Sequence, residues 1–137
     1  MKKAVVTGSS KGIGSEISKR LLALGYSVLG ISRGEAPDLL KDKNYTHIRC
    51  DLSVEKETLN LCQKLRDQDP YILVNCAGFG RFEPHEELSQ KTIIQMSFLN
   101  LTAPMLLTNA LLRDLKKNSG YLININSIEA LRASKFA

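Results

Sequence analysis

Lys3-Ala4-Val5-Val6-Thr7-Gly8-Ser9-Ser10-Lys11-Gly12-Ile13-Gly14-Ser15-Glu16-Ile17 decides the fold. An unbroken apolar run stops at Thr7, a glycine-rich turn follows, and apolar residues then recur every fourth position. An apolar run that does not alternate predicts a strand buried on both faces. Ile13, Ile17, Leu21 and Leu24 predict one helical stripe, ended by Gly25. The stretch therefore reads as strand, turn and helix. Gly8, Gly12 and Gly14 would let backbone approach a pyrophosphate, and the helix start would offer it free N–H groups. The spacing is neither G-x-x-x-x-G-K nor G-x-G-x-x-G, so an ordinary strand-to-helix turn stands as the alternative.

The rest of the chain repeats this alternation. Residues 26–31 read as a second strand that ends at Ser32-Arg33-Gly34, and 46–50 as a third, shorter one. Asp51-Leu52-Ser53 leads to a helix with Ser53 as N-cap, Glu55 and Glu57 in its first turn, and Val54, Thr58, Leu61 and Leu65 on its inner face. Residues 71–75 predict a fourth strand, followed by the small-residue loop Cys76-Ala77-Gly78-Phe79-Gly80. A helical region spans about 89–117, with Pro104 predicting a break or a bend. Residues 121–126 read as a fifth strand, with Ser127 after it. Strands alternating with helices at this spacing predict a parallel sheet with helices on both faces. Ligands bind at the carboxyl ends of such strands, where Gly8, Arg33, Asp51, Asn75 and Ser127 all fall.

Composition narrows the function classes. The 137 residues have room for one domain with a core, and 43% apolar with 24% charged is ordinary for a globular protein. The net charge of +5 is scattered and tryptophan is absent, which argues against a nucleic-acid platform. Cys50, Cys62 and Cys76 lack metal-ligand spacing and read as reduced packing residues, so a cytoplasmic protein is expected. No run is long enough for a membrane span or a signal-peptide core. His47 and His85 have no partner spacing that would make them ligands or bases.

Thr7-Gly8-Ser9-Ser10-Lys11-Gly12-Ile13-Gly14 resembles the T-G-x-x-x-G-x-G signature of the short-chain dehydrogenase/reductase family. Asp51-Leu52 resembles the family's acidic residue after the third strand, near the adenine. Asn75-Cys76-Ala77-Gly78 resembles its N-N-A-G motif, with Cys76 in place of the second asparagine. Asn100 matches the asparagine of the long helical region, and Asn124-Ile125-Asn126-Ser127 resembles the segment ending in the catalytic serine. The resemblance covers the whole chain. It implies a Rossmann-type doubly wound parallel sheet, truncated after the fifth strand, as one NAD(P)-binding domain over 1–137. It also implies hydride transfer between a nicotinamide and an alcohol or carbonyl substrate, in a homo-oligomer.

On this reading Thr7, Gly8, Ser10, Lys11, Gly12, Ile13, Gly14, Ser32, Arg33, Asp51, Leu52, Asn75, Ala77 and Gly78 are the expected cofactor contacts. An acidic residue at the end of strand two would mark NAD; Ser32-Arg33 stands there, and Lys11 sits in the turn, so NADP is expected over NAD. The resemblance gives Ser127 the substrate oxygen and Asn100 a place in a proton relay; Asn100 bonding backbone at the Pro104 bend is the plainer reading. The family's Y-x-x-x-K pair would fall beyond Ala137, and neither Tyr121 nor Lys135 can replace it. Residues 1–137 alone are thus expected to lack turnover. A non-catalytic dinucleotide-binding module, or an inactive truncated fragment, is the alternative function. Glu129 places a carboxylate near the expected substrate region.

Overall fold

The computed structural model describes residues 1–132 and 135. Five strands form one sheet: β1 (Lys3–Thr7), β2 (Ser27–Ser32), β3 (Tyr45–Arg49), β4 (Ile72–Asn75) and β5 (Tyr121–Asn124). The spatial order is β3-β2-β1-β4-β5, and every pairing is parallel. The chain leaves β1 in one direction for β2 and β3, and in the other for β4 and β5. The order therefore reverses between β1 and β4, where a crevice opens at the carboxyl ends.

Four helices cover the faces: α1 (Gly12–Ala23), α2 (Glu55–Leu65), α3 (Gln90–Ser97) and α4 (Ala103–Lys117). Alternate residues of each strand serve opposite faces. Val5, Leu29, Ile31 and Leu73 pack against Leu61 and Leu65 of α2 and Leu107, Leu111 and Leu115 of α4. Ala4, Val6, Val28, Ile72 and Val74 face the other way, toward Ile17, Leu21 and Leu22 of α1. Leu107 and Leu111 thus belong to the core, while Leu101, Met105 and Leu112 lie exposed on the flank next to β5. Among the described residues no helix is long and apolar enough to cross a membrane.

Two local expectations are corrected. The α1 stripe does not include Ile13 or Leu24, which are 62% and 75% exposed; the small Gly14 and Ser18 are buried instead. That exchange lets α1 lie close on the sheet, and the Ser18 hydroxyl is satisfied by donating to Gly14 O at 2.8 Å. Ser53 is not the N-cap of α2. Its hydroxyl donates to Asp51 Oδ1 at 2.7 Å, in a turn that precedes the helix, and Val54, itself exposed, takes the cap position. Around Pro104 the helical path continues: a π-helical segment, Phe98–Thr102, joins α3 to α4, and the proline falls in the first turn of α4. The phase change comes just before the residue whose missing N–H would interrupt an α-helix.

A candidate dinucleotide crevice at the strand ends

Gly8 leaves β1 with φ +67°, a left-handed conformation that glycine adopts without strain. Its N–H donates to Ile31 O at 2.8 Å, tying the turn to β2. A Cβ on Gly14 would strike Gly8 O, so the start of α1 touches the turn backbone directly. The α1 N-terminus carries no side-chain cap. Its first N–H groups therefore keep their donor capacity and the positive end of the helix dipole. Gly12 opens onto free space, where a Cβ would meet nothing within 4 Å. Ser10 is half-buried, and Lys11, Gly12 and Ile13 are exposed around that opening. An uncapped helix start beneath an open glycine backbone fits an anionic phosphate group.

Thr7 joins the turn to the β4 side. It is buried, and its hydroxyl oxygen accepts from the N–H groups of Cys76 and Ala77, both at 3.0 Å. The loop after β4 is thereby fastened to the end of β1. A Cβ on Gly8 would come within 3.1 Å of Ala77 Cα, so the two loops touch at the crevice floor.

Ser32 and Arg33 close the crevice on the β2 side. Ser32 is buried and donates to Gly34 O at 2.9 Å; Arg33 projects outward. Neither Lys11 nor Arg33 has an ion-pair partner among the described residues. Glu35, the nearest following carboxylate, stands 3.8 Å from Arg49. At the end of β3, Asp51 accepts from the N–H and the hydroxyl of Ser53 through the same oxygen, and Leu52 is buried in the core beneath it.

On the β4 side, Asn100 lies in the π-helical segment and grips the loop across from it. Its Oδ1 accepts from Phe79 N–H at 3.0 Å and its Nδ2 donates to Phe79 O at 2.7 Å. The backbone it bonds is this loop rather than the Pro104 turn. A side chain on Gly78 would run into the Asn100 amide. Asn75 is buried; its Nδ2 donates to Asn124 Oδ1 at 3.0 Å, while its Oδ1 has no partner. That orphan acceptor borders a cleft of about 550 Å³ between α4 and β5, lined also by Asn100, Thr108, Asn124 and Asn126. Ser127 lies just past this wall and is exposed. Its oxygen accepts from Glu129 N–H at 3.2 Å, which leaves the hydroxyl proton free to donate.

A further cleft of about 620 Å³ beside α3, lined by Arg81, His85 and Met96, contains none of the expected cofactor-binding or catalytic residues. Among the described residues no cluster of His, Cys, Asp or Glu is arranged to hold a metal. Burial holds the Cys50 thiol at about 11, well above its ordinary value, and raises Cys62 and Cys76 as well. All three are poor nucleophiles.

Sequence reasoning missed Ser9, Tyr45 and His47. Ser9 is fully buried beneath the turn and shares a 3.0 Å hydrogen bond with the Tyr45 hydroxyl. Burial raises the Tyr45 pKa, an effect the Ser9 bond opposes. Gly30 was the available signal, since glycine inside an apolar strand marks a close approach. A Cβ there would collide with the Tyr45 hydroxyl.

Comparison with known proteins agrees with this architecture. The family model described as short chain dehydrogenase matches residues 2–137. The human protein named dehydrogenase/reductase SDR family member 11 is 32% identical over 145 aligned positions, which cover 94% of this chain and 55% of the relative. A Haemophilus influenzae protein, named a probable NADP-dependent dehydrogenase, is 30% identical over 91% of this chain and 53% of its own length. The solved structure of 4-hydroxyisoleucine dehydrogenase complexed with NADH superposes with a TM-score of 0.90 at 25% identity, over 98% of this chain and 58% of that one. The chain spans about half the length of the curated relatives it matches.

Proposed function

The chain belongs to the short-chain dehydrogenase family, and from that premise we propose that it is the cofactor-binding part of an NADP(H)-dependent oxidoreductase acting on a small alcohol or carbonyl compound. The observation that carries the cofactor reading is the strand-two end. Arg33 projects there without an acidic partner, and Lys11 stands exposed in the turn. Both can meet a 2′-phosphate, and the arginine can do so through two parallel N–H bonds. The Haemophilus relative is named for NADP dependence and the 4-hydroxyisoleucine enzyme was solved with NADH, so the relatives span both cofactors. The residues of this chain tip the reading to NADP.

In this reading the N–H groups at the start of α1 and the backbone of Gly8–Gly12 hold the pyrophosphate, with Ser10 and Lys11 beside it. Asp51 and Leu52 border the adenine, while Asn75, Ala77 and Gly78 line the opposite wall. The bound nicotinamide supplies or takes the hydride. Ser127 donates its free hydroxyl proton to the substrate oxygen and so polarises the carbonyl. Asn100 fixes the loop through Phe79 and thereby the wall on which the cofactor rests. The tyrosine–lysine pair that moves the proton in the family has no counterpart among residues 1–137, so the whole reaction is proposed for the intact protein. Three unpaired thiols fit a reducing, cytoplasmic setting, and the exposed Leu101 of the π-helical segment, with Met105 and Leu112 of α4, fits pairing in a homo-oligomer.

The cofactor reading is tested by Arg33→Asp. Removing a charge-assisted pair and adding a like charge is expected to weaken NADPH binding by about tenfold to a hundredfold. NADH binding should stay within about threefold of its original value. Isothermal titration with each nucleotide measures both, and equal weakening would remove the basis for preferring NADP.

A further inference from the structure

Tyr45, His47 and Arg49 alternate along β3 and so share one face of the strand. Their side chains reach the residues that close the crevice on the β2 side. His47 Nε2 lies 2.8 Å from Gly34 O and 3.2 Å from Ser32 Oγ, the residues on either side of Arg33. Arg49 Nε donates to the carbonyl of Arg33 itself at 3.3 Å. A carbonyl oxygen can only accept, so Nε2 carries the proton. In the neutral ring Nδ1 is then the acceptor, and it takes the Tyr45 hydroxyl proton at 2.7 Å. The Tyr45 oxygen in turn accepts from Ser9, in the turn after β1. The relay therefore runs from Ser9 through Tyr45 and His47 to the backbone around Arg33.

Gly30 gives this relay its room, because any side chain there would fill the place of the Tyr45 hydroxyl. Ser9, Tyr45 and Ser32 are all buried, so their hydroxyl groups depend on one another rather than on water. Arg33 is an exposed side chain at the bend that follows β2. An unrestrained arginine loses much conformational freedom when it pairs with an anion, and fixing its backbone beforehand lowers that cost.

We propose that His47, oriented by Tyr45, is the positioning residue for Arg33, and that this relay sets the preference for a 2′-phosphate over a 2′-hydroxyl on the adenosine ribose. The inference rests on the NADP reading above. It adds that discrimination depends on β3, through its bonds to the backbone around Arg33, as well as on Arg33 itself. It also makes the two anion-holding segments, the turn after β1 and the turn after β2, parts of one hydrogen-bonded unit.

The amide-bearing side chains separate the two ring nitrogens. Glutamine places its amide nitrogen near the position of Nε2, whereas asparagine reaches only that of Nδ1. In the intact protein, His47→Gln is expected to keep the ratio of NADPH to NADH affinity within about twofold. His47→Asn should weaken NADPH about fivefold to tenfold, with NADH changed less than twofold. Tyr45→Phe keeps the ring and removes the hydroxyl, and should fall between the two. Titration with NADPH and NADH, repeated with 2′,5′-ADP and 5′-AMP, reads these ratios directly. Thermal melts of each variant accompany them. A merely structural role would lower both affinities in step with stability, and that result, or an unchanged ratio in both His47→Asn and Tyr45→Phe, overturns the positioning role while leaving the NADP reading intact. An unsubstituted protein that binds NADPH and NADH equally overturns both.

Discussion

β4 and β5 are hydrogen-bonded neighbours of equal length and nearly the same composition: Ile72-Leu73-Val74-Asn75 beside Tyr121-Leu122-Ile123-Asn124. Every residue of β4 is buried and every residue of β5 is exposed. Both read in sequence as continuous apolar runs. The difference lies in their neighbours. β4 is flanked by β1 and β5, with α1 on one side and α4 on the other. Among the described residues β5 has a strand on one edge only, and Leu122 and Ile123 are 42% and 41% exposed. Apolar composition specifies a wish for burial, and topology decides which strand obtains it.

The largest test of that contrast is a pair of truncations. Leu73→Ala should cost about 2–5 kcal/mol, from lost transfer energy and the cavity left behind. Leu122→Ala should cost less than about 1 kcal/mol, as expected for an exposed site. Urea unfolding of the 137-residue chain measures both, and equal losses would erase the distinction between the strands. A smaller effect sharpens it. Asn124 is exposed, yet it is the nearer of two acceptors for the buried Asn75 amide, at 3.0 Å against 3.5 Å for Thr108 Oγ1. Asn124→Ala should therefore cost about 1–2 kcal/mol, because a buried donor loses its nearer partner. A cost near zero would mean that water or Thr108 takes the freed N–H.

The smallest effect is a pH dependence that comes from buried thiols. Cys50 is buried with Leu52 and Leu61, and its pKa is raised from 9.0 to about 11, chiefly by desolvation. The unfolded chain ionises first. Stability is therefore full below pH 9, falls as pH rises from 9 toward 11, and levels off above that. Denaturant midpoints at intervals across this range should show the decline. A Cys50→Val variant should have it reduced, with Cys62 and Cys76 still contributing, since their thiols are raised as well.

Local signals carried much of the fold. The Lys3–Thr7 strand, the glycine turn and the alternation of strands and helices follow from apolar runs and turn residues alone, and β1 has the expected bounds. Errors arose where tertiary contact overrode local pattern. Ile13 and Leu24 fit a helical stripe, but close packing of α1 on the sheet selected Gly14 and Ser18. Ser53 has the chemistry of a cap, but Asp51, two residues earlier, took its hydroxyl. Most of the candidate site was legible because its residues follow strands and their chemistry is local. The Ser9–Tyr45–His47 relay was not legible, because it exists only in the β2–β3 pairing that sets Gly30 opposite His47. No periodicity in the chain announces that register.

The π-helical segment bears on how this chain tolerates length changes. An α-helix turns about 100° per residue, so one residue too many or too few re-aims everything downstream. Phe98–Thr102 absorbs such an offset. Upstream of Ala103 it turns Asn100 toward Phe79; downstream it lets Ala103, Leu107, Leu111 and Leu115 face the sheet. The wide turn works as a phase adjuster, and this stretch should be among the least forgiving places in the chain for an insertion or a deletion.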